Sequence, residues 1–161
     1  MLIEFKGKVV SGCGKHSDLI IPGKMKLPNA PSDWPDVLCP GSLNVEIFIA
    51  ELPKGLDDLG PGVLVKKLDN GILKPAFVIQ QSAIINNTIG PLGPVIGRGD
   101  ALLWRAKINV LKTAQDFSCW VLRRLDSGMT RHIELVSSVN LRRTLNLCDG
   151  NSVCIYLEGC E

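Results

Sequence analysis

Pro40-Gly41-Ser42-Leu43-Asn44 places two neutral side-chain oxygens one residue apart. In an extended segment, Ser42 and Asn44 project from one face and Leu43 and Val45 from the other, away from water. Magnesium suits such a pair. It prefers oxygen ligands and commonly takes only one or two from the protein, with water and substrate phosphates completing its octahedron. The plainer alternative is a polar strand face that begins at a turn. A second segment, Gly12-Cys13-Gly14-Lys15-His16-Ser17, directly follows an apolar, extended run. Its glycines would let backbone N–H groups approach an anion, and Lys15 would add charge. The spacing is neither G-x-x-x-x-G-K-[ST] nor G-x-G-x-x-G, and a hairpin turn without function would read the same way.

Two further segments carry chemistry-bearing groups. Glu134 stands in Ile133-Glu134-Leu135-Val136. Its carboxylate could accept a hydrogen bond from a sugar-like hydroxyl or a ring N–H, or act as a base if its pKa were raised. A solvent-facing strand glutamate is the alternative. Val139-Asn140-Leu141-Arg142-Arg143 falls at an expected helix start, where free N–H groups and guanidiniums suit a phosphate or the polar edges of a nucleotide. Basic residues in a first turn oppose the helix dipole, which invites a functional explanation; a solvated arginine pair is the alternative. His16 and His132 are the only histidines, and no zinc triad, Ser-His-Asp relay or H-E-x-x-H surrounds them, so hydrolase and zinc-enzyme chemistry fit poorly. None of the six cysteines forms a C-x-x-C, and three lie in or beside apolar segments where a thiol behaves as a small hydrophobe. The tryptophans at 34, 104 and 120 are expected to fill a core or cover a barrel mouth.

The elements that must hold these groups read as mostly β. Ten prolines and sixteen glycines punctuate short apolar runs. Period-two alternation predicts strands over Leu2–Val10, with Glu4, Lys6 and Lys8 on the wet face, and over Leu43–Ile49. Residues 22 to 41, with five prolines and no periodicity, read as a long structured loop. Val63 to Leu68 reads as a short strand, Asn70-Gly71 as a hairpin turn and Ala76 to Ile85 as its partner. Leu102, Trp104, Ala106, Ile108 and Val110 share a face, and Phe117 to Leu125 supplies an antiparallel return. His132–Val136 is a strand, followed by a helix through Val139, Leu141, Leu145 and Leu147 with Ser137 or Ser138 as N-cap. Asp149-Gly150 is a turn and Val153–Leu157 the last strand. A lone sheet would expose an apolar face and both edges, so six or seven short strands point to a small closed barrel.

The bulk properties fit a single domain over residues 1–161. Eighteen basic residues stand against sixteen acidic ones, for a formal net charge of +2, and no basic stripe appears, so a nucleic-acid partner is not expected. No signal-peptide core and no apolar run of membrane-spanning length occurs, which leads us to expect a soluble, cytoplasmic protein with no membrane partner.

The four chemistry-bearing segments, in this order, resemble the CTP-dependent riboflavin kinases. Gly7-Lys8-Val9-Val10-Ser11-Gly12-Cys13-Gly14 resembles that family's opening strand and nucleotide loop. Pro40-Gly41-Ser42-Leu43-Asn44-Val45 resembles its G-T-L-N metal motif with serine for threonine. Ile133 to Arg142 and Leu145 to Gly150 resemble, without gaps, its E-[IL]-[IV]-A-P-x-x-L-R-x-x-[LF]-x-L-x-D-G segment. The resemblance implies a six-stranded cradle-loop (RIFT-like) barrel with one short C-terminal helix and long loops. It also implies nucleotide contacts from Gly12, Cys13, Gly14, Lys15, His16 and Ser17 and from Val139, Asn140, Leu141 and Arg142. Ser42 and Asn44 would hold Mg2+, Glu134 would contact the flavin, and Thr130 would be a second flavin contact. The implied reaction moves the γ-phosphoryl of CTP to the riboflavin 5′-hydroxyl, giving FMN and CDP, with no residue assigned as general base and a monomer or homodimer as the working unit. Lys15-His16 stands where the family usually has Glu-Gly, Arg143 where glutamate often follows L-R, and Ser137-Ser138 where Ala-Pro is usual. Those changes leave open a catalytically silent barrel that binds flavin or nucleotide as a sensor or carrier.

Overall fold

The structure, a computed structural model, describes residues 2–11, 19–40, 42–51, 61–86, 89–90, 93–94, 99–125 and 131–159. In chain order the elements are β1 (Leu2–Val10), β2 (Leu19–Ile20), β3 (Leu43–Glu51), α1 (Pro61–Asp69), β4 (Phe77–Ile79), β5 (Ile85–Asn86), β6 (Ile89–Gly90), β7 (Gly93–Pro94), β8 (Ala101–Val110), β9 (Gln115–Arg124), β10 (His132–Val136), α2 (Leu141–Thr144) and β11 (Ser152–Glu158). Six strands pair antiparallel in the cyclic order β1-β3-β10-β9-β8-β11, and the β11–β8 ladder closes the ring. β4 lies outside this ring. It pairs with the first residues of β8, Ala101 to Leu103, while β11 takes the same edge from Arg105 onward. β2 pairs with β5 and β6 with β7 as separate two-residue ladders.

Alternation along each strand divides the side chains between two cores. The odd positions of β1 and β3, such as Phe5, Val9, Val45 and Ile47, join Trp104, Val121, Ile133 and Ile155 in the barrel interior. The opposite faces of β8, β9 and β10 give Leu103, Trp120, Leu122 and Val136 to a second cluster on the outer wall, which Trp34 completes. Trp34 meets Trp120 at 5.0 Å and Phe77 at 4.9 Å, both edge-to-face, and its indole N–H donates to the Pro22 carbonyl at 3.0 Å. The expected long loop over residues 22 to 41 is therefore pinned against the barrel wall. Trp104 lies in the core as expected, whereas Trp34 and Trp120 build this outer layer.

A close approach occurs where β1 meets β3. The register shifts between Lys6 and Gly7, and a Cβ on Gly7 would lie 2.7 Å from Val45 Cγ1 and closer still to the Glu46 carbonyl oxygen. Glycine is required there by space, as at β-bulges generally.

Two helices stop the two ends of the ring. α1 sends Val65 and Leu68 into the interior cluster, and the Leu73 carbonyl after it accepts from the Trp104 indole N–H at 3.0 Å. Arg123 forks onto Asp69 at the end of α1, at 2.9 and 2.8 Å, and reaches the His132 carbonyl at the start of β10. α2 follows the other end of β10 and adds Leu141, with Leu145 and Leu147 behind it.

Three expectations are corrected here. Residues 61 to 69 are helical, so the strand over Val63–Leu68 is absent: Val65 and Leu68, three apart, bury one helical face against the barrel end. Asn70-Gly71 ends this helix instead of turning a hairpin. Gly71 adopts a left-handed φ of 85°, Gly71 N–H bonds the Leu68 carbonyl and Ile72 N–H the Lys67 carbonyl, the paired bonds of a Schellman cap. Finally, the C-terminal helix is a single turn, Leu141–Thr144, capped by Asn140, whose side chain accepts from the Arg143 N–H at 3.0 Å, and not by Ser137 or Ser138. Asn146, at φ 52°, prevents its continuation to Leu147.

Candidate functional site

β3 and β10 are neighbours in the ring, and their register sets Asn44 directly across from Glu134. Both side chains project from the outer face, opposite to Leu43, Val45, Ile133 and Leu135, which point into the barrel. Neither is solvated: Asn44 is 7 % and Glu134 5 % exposed. Glu134 is thus a buried carboxylate and not the solvent-facing alternative. Ser42, just before β3, donates its hydroxyl hydrogen to Glu134 Oε2 at 3.1 Å. Among the described residues, Asn44 Oδ1 is buried without a hydrogen-bond partner. An orphaned buried acceptor calls for a donor or a cation.

A cleft of about 140 Å³ opens beside Ser42. Its walls include Cys39 and Pro40 from the long loop and Val139, Asn140, Leu141 and Arg142 from the start of α2. The Cys39 N–H donates to the Ser137 carbonyl at 2.8 Å, and Ser137 Oγ accepts from the Val139 N–H at 3.3 Å, so loop and helix start are tied together. Two segments nearly a hundred residues apart in sequence therefore share one cleft. Asn44 and Glu134 adjoin it through Ser42 but do not line it.

Arg142 is not directed freely into this cleft. Its Nη2 lies 2.8 Å from Asp149 Oδ1 and 3.4 Å from the Val10 carbonyl oxygen. The other Asp149 oxygen accepts a short hydrogen bond from the Ser11 hydroxyl. The Ser11 hydroxyl, and then the Arg142 guanidinium, hold the Asp149 carboxyl below its ordinary pKa. Because α2 has only one turn, Arg142 and Arg143 occupy its first and last turn at once, and the expected conflict with a helix dipole has no force.

Gly12, Cys13, Gly14, Lys15, His16, Ser17 and Thr130 lie outside the described residues. Ser11, the last described residue before that segment, makes the Asp149 contact. Cys39 carried no signal in the sequence, and Pro40, Ser11 and Asp149 stood within motifs that resemble the family but were given no role of their own.

Neither a protein-family model nor a curated protein matches the chain. A larger concavity of about 570 Å³ lies on the outer wall of β8, β9 and β11, where the Arg105 guanidinium sits 5.2 Å from the Trp120 ring centroid and is forked onto Asp33. None of the residues singled out in the sequence as site residues lines it. Among the described residues there is no cluster of three or more His, Cys, Asp or Glu side chains suited to a metal, and no helix is long and apolar enough to cross a membrane. Cys39, Cys119, Cys148 and Cys154 are free thiols.

Proposed function

We propose that the chain is a riboflavin kinase that transfers the γ-phosphoryl of CTP to the riboflavin 5′-hydroxyl, giving FMN and CDP. One observation carries this reading: Ser42 touches Glu134 and lines a single cleft with residues 139 to 142, so segments assigned separately to metal, flavin and nucleotide are contiguous.

The residues present fit a magnesium ion. The Ser42 hydroxyl, the Asn44 Oδ1 that has no hydrogen-bond partner among the described residues and the adjacent Glu134 carboxylate are hard oxygen donors. Ser42 and Asn44 would hold the ion, which when bound neutralises phosphate charge. The chain's own residues position the reactants. Glu134, buried, offers a fixed acceptor to the flavin, with its orientation set by Ser42. Backbone N–H groups around residues 139 to 142 and in the glycine segment would hold the nucleotide, and the Trp34 wedge keeps the loop that leads to Ser42 in place. Phosphoryl transfer asks chiefly for such positioning and charge neutralisation, so no protein nucleophile is needed.

The test is FMN formation by purified protein from riboflavin and Mg2+ with CTP, ATP, GTP or UTP in turn. FMN with CTP supports the proposal, FMN only with another nucleotide changes the donor, and none with any nucleotide removes the kinase. The engagement of Arg142 by Asp149 favours a second reading, a barrel that binds nucleotide or flavin without turnover, because a guanidinium held within the fold is less available to a γ-phosphoryl group. Calorimetric binding of CTP or riboflavin without FMN formation would select that reading.

A further inference from the structure

Asp149 joins two parts of the chain that sequence separates widely. One of its oxygens takes the Ser11 hydroxyl and the other the Arg142 guanidinium. The backbone repeats the link: Gly150 N–H donates to the Val9 carbonyl at 2.7 Å, Val9 N–H to the Asn151 carbonyl at 2.9 Å, and Arg142 Nη2 reaches the Val10 carbonyl. The end of β1 is thus held by the turn at residues 149 to 151 and by Arg142.

We propose that Arg142 and Asp149 form a clasp that positions the cleft for a nucleotide: they hold its wall at residues 139 to 142 against the end of β1. Arg142 then acts through Asp149 and Val10, and is a positioning residue instead of a phosphate ligand. This deepens the proposed function and rests on it for the identity of the ligand.

The geometry favours a clasp over a ligand for two reasons. Arg142 Nη2 already serves a carboxylate and a carbonyl oxygen, and an incoming phosphate would have to compete with the anionic Asp149 for it. The carboxylate is also satisfied on both oxygens, by partners on either side of the junction, as a link requires.

A double-substitution cycle separates the two roles, with Mg2+ and CTP as the probe in calorimetry and in steady-state kinetics. Arg142→Ala and Asp149→Ala should each weaken CTP binding by about tenfold, and the pair together no more than either alone, because both break the same link. KM for CTP should rise with kcat nearly unchanged. Exchanging the charges, Arg142→Asp with Asp149→Arg, should recover part of the loss. If Arg142→Ala weakens binding while Asp149→Ala leaves it unchanged or tightens it, Arg142 is a direct phosphate ligand and the clasp is wrong. Should the alanine variants fold poorly, Ser11→Ala and Arg142→Lys probe the same link with smaller changes; unaltered CTP affinity in both would also overturn it. Failure of the unsubstituted protein to bind CTP removes the proposed function instead. The clasp is then judged by thermal unfolding of the same four proteins, where additive losses in Tm reject it and non-additive losses support it.

Discussion

Asn44 and Glu134 face each other across the β3–β10 ladder on the outer wall of the barrel, both buried, one an amide whose oxygen has no partner among the described residues and the other a carboxylate. Such a pairing is a poor way to stabilise a sheet, since a buried polar atom without a partner costs about 1–3 kcal/mol. It is a good way to prepare a place for a cation.

Removing that oxygen should separate function from stability. Asn44→Ala is expected to lower magnesium-dependent FMN formation by about 100-fold or more. Its unfolding free energy in urea should stay within about 1 kcal/mol of the original, because no hydrogen bond to Oδ1 from the described residues is lost. Excess EDTA should likewise abolish turnover, with recovery on adding Mg2+. A large loss of stability, or unchanged activity, would count against the metal role.

Asp69 and Arg123 pose the opposite case. The pair is forked, and the Arg123 side chain is only 5 % exposed. Asp69→Ala would strand a buried guanidinium and should destabilise the fold by about 3 kcal/mol or more. Denaturant titration measures this; a loss below about 1 kcal/mol, the surface-pair range, would show that α1 is not anchored there.

Gly7→Ala should destabilise by about 1–3 kcal/mol, since the new methyl would press against Val45 Cγ1 and the Glu46 carbonyl. Backbone at such a site must move, so amide exchange in β1 and β3 should speed up while the β8–β9 hairpin is spared. Uniform exchange rates would contradict the close approach.

Asp33 gives a pH dependence whose sign is fixed. Its hydrogen bonds from Arg105 hold the folded carboxyl below its ordinary pKa, so the pair favours the folded state above the unfolded carboxylate range and is lost as pH falls through the lowered folded value. Asp33→Asn should therefore be less stable than the original at neutral pH, by under about 1 kcal/mol for so exposed a pair, and the two should converge in acid. Thermal unfolding between pH 7 and 2 would show a constant gap if the pair contributed nothing.

Burial pushes the Cys119 thiol up to about 12, with a backbone hydrogen bond from the β8 side opposing it. Iodoacetamide at pH 8 should label exposed Cys148 and leave Cys119 unmodified until the barrel is unfolded, as read by peptide mass mapping. Equal labelling of both thiols would show that this wall of the barrel opens.

Strands with one wet face were legible, and so was the ring they form. Glu4, Lys6 and Lys8 against Phe5 and Val9, and the alternation from Leu102 to Val110, carry a period that only a pleated strand satisfies. The helix at residues 61 to 69 was not, because Val63 and Val65 are β-branched and flank an apolar leucine, and what made it helical was a barrel end needing Val65 and Leu68 three residues apart. Of the site, the Ser42 and Asn44 face followed from pleat geometry alone. That Glu134 would be their neighbour did not, since strand order is decided by packing across the whole ring. The contacts of Asp149 were not legible for a related reason: its partners, Ser11 and Arg142, meet only once β1 and α2 have been placed.

With α1 and α2 packed on the interior cluster, and Trp104 and its neighbours filling it, the described interior of the barrel is packed core. Evolution could then alter what this protein recognises from outside, by exchanging the segments draped over the wall. The interior would be left answerable to volume alone, and selectivity and stability could drift independently of each other.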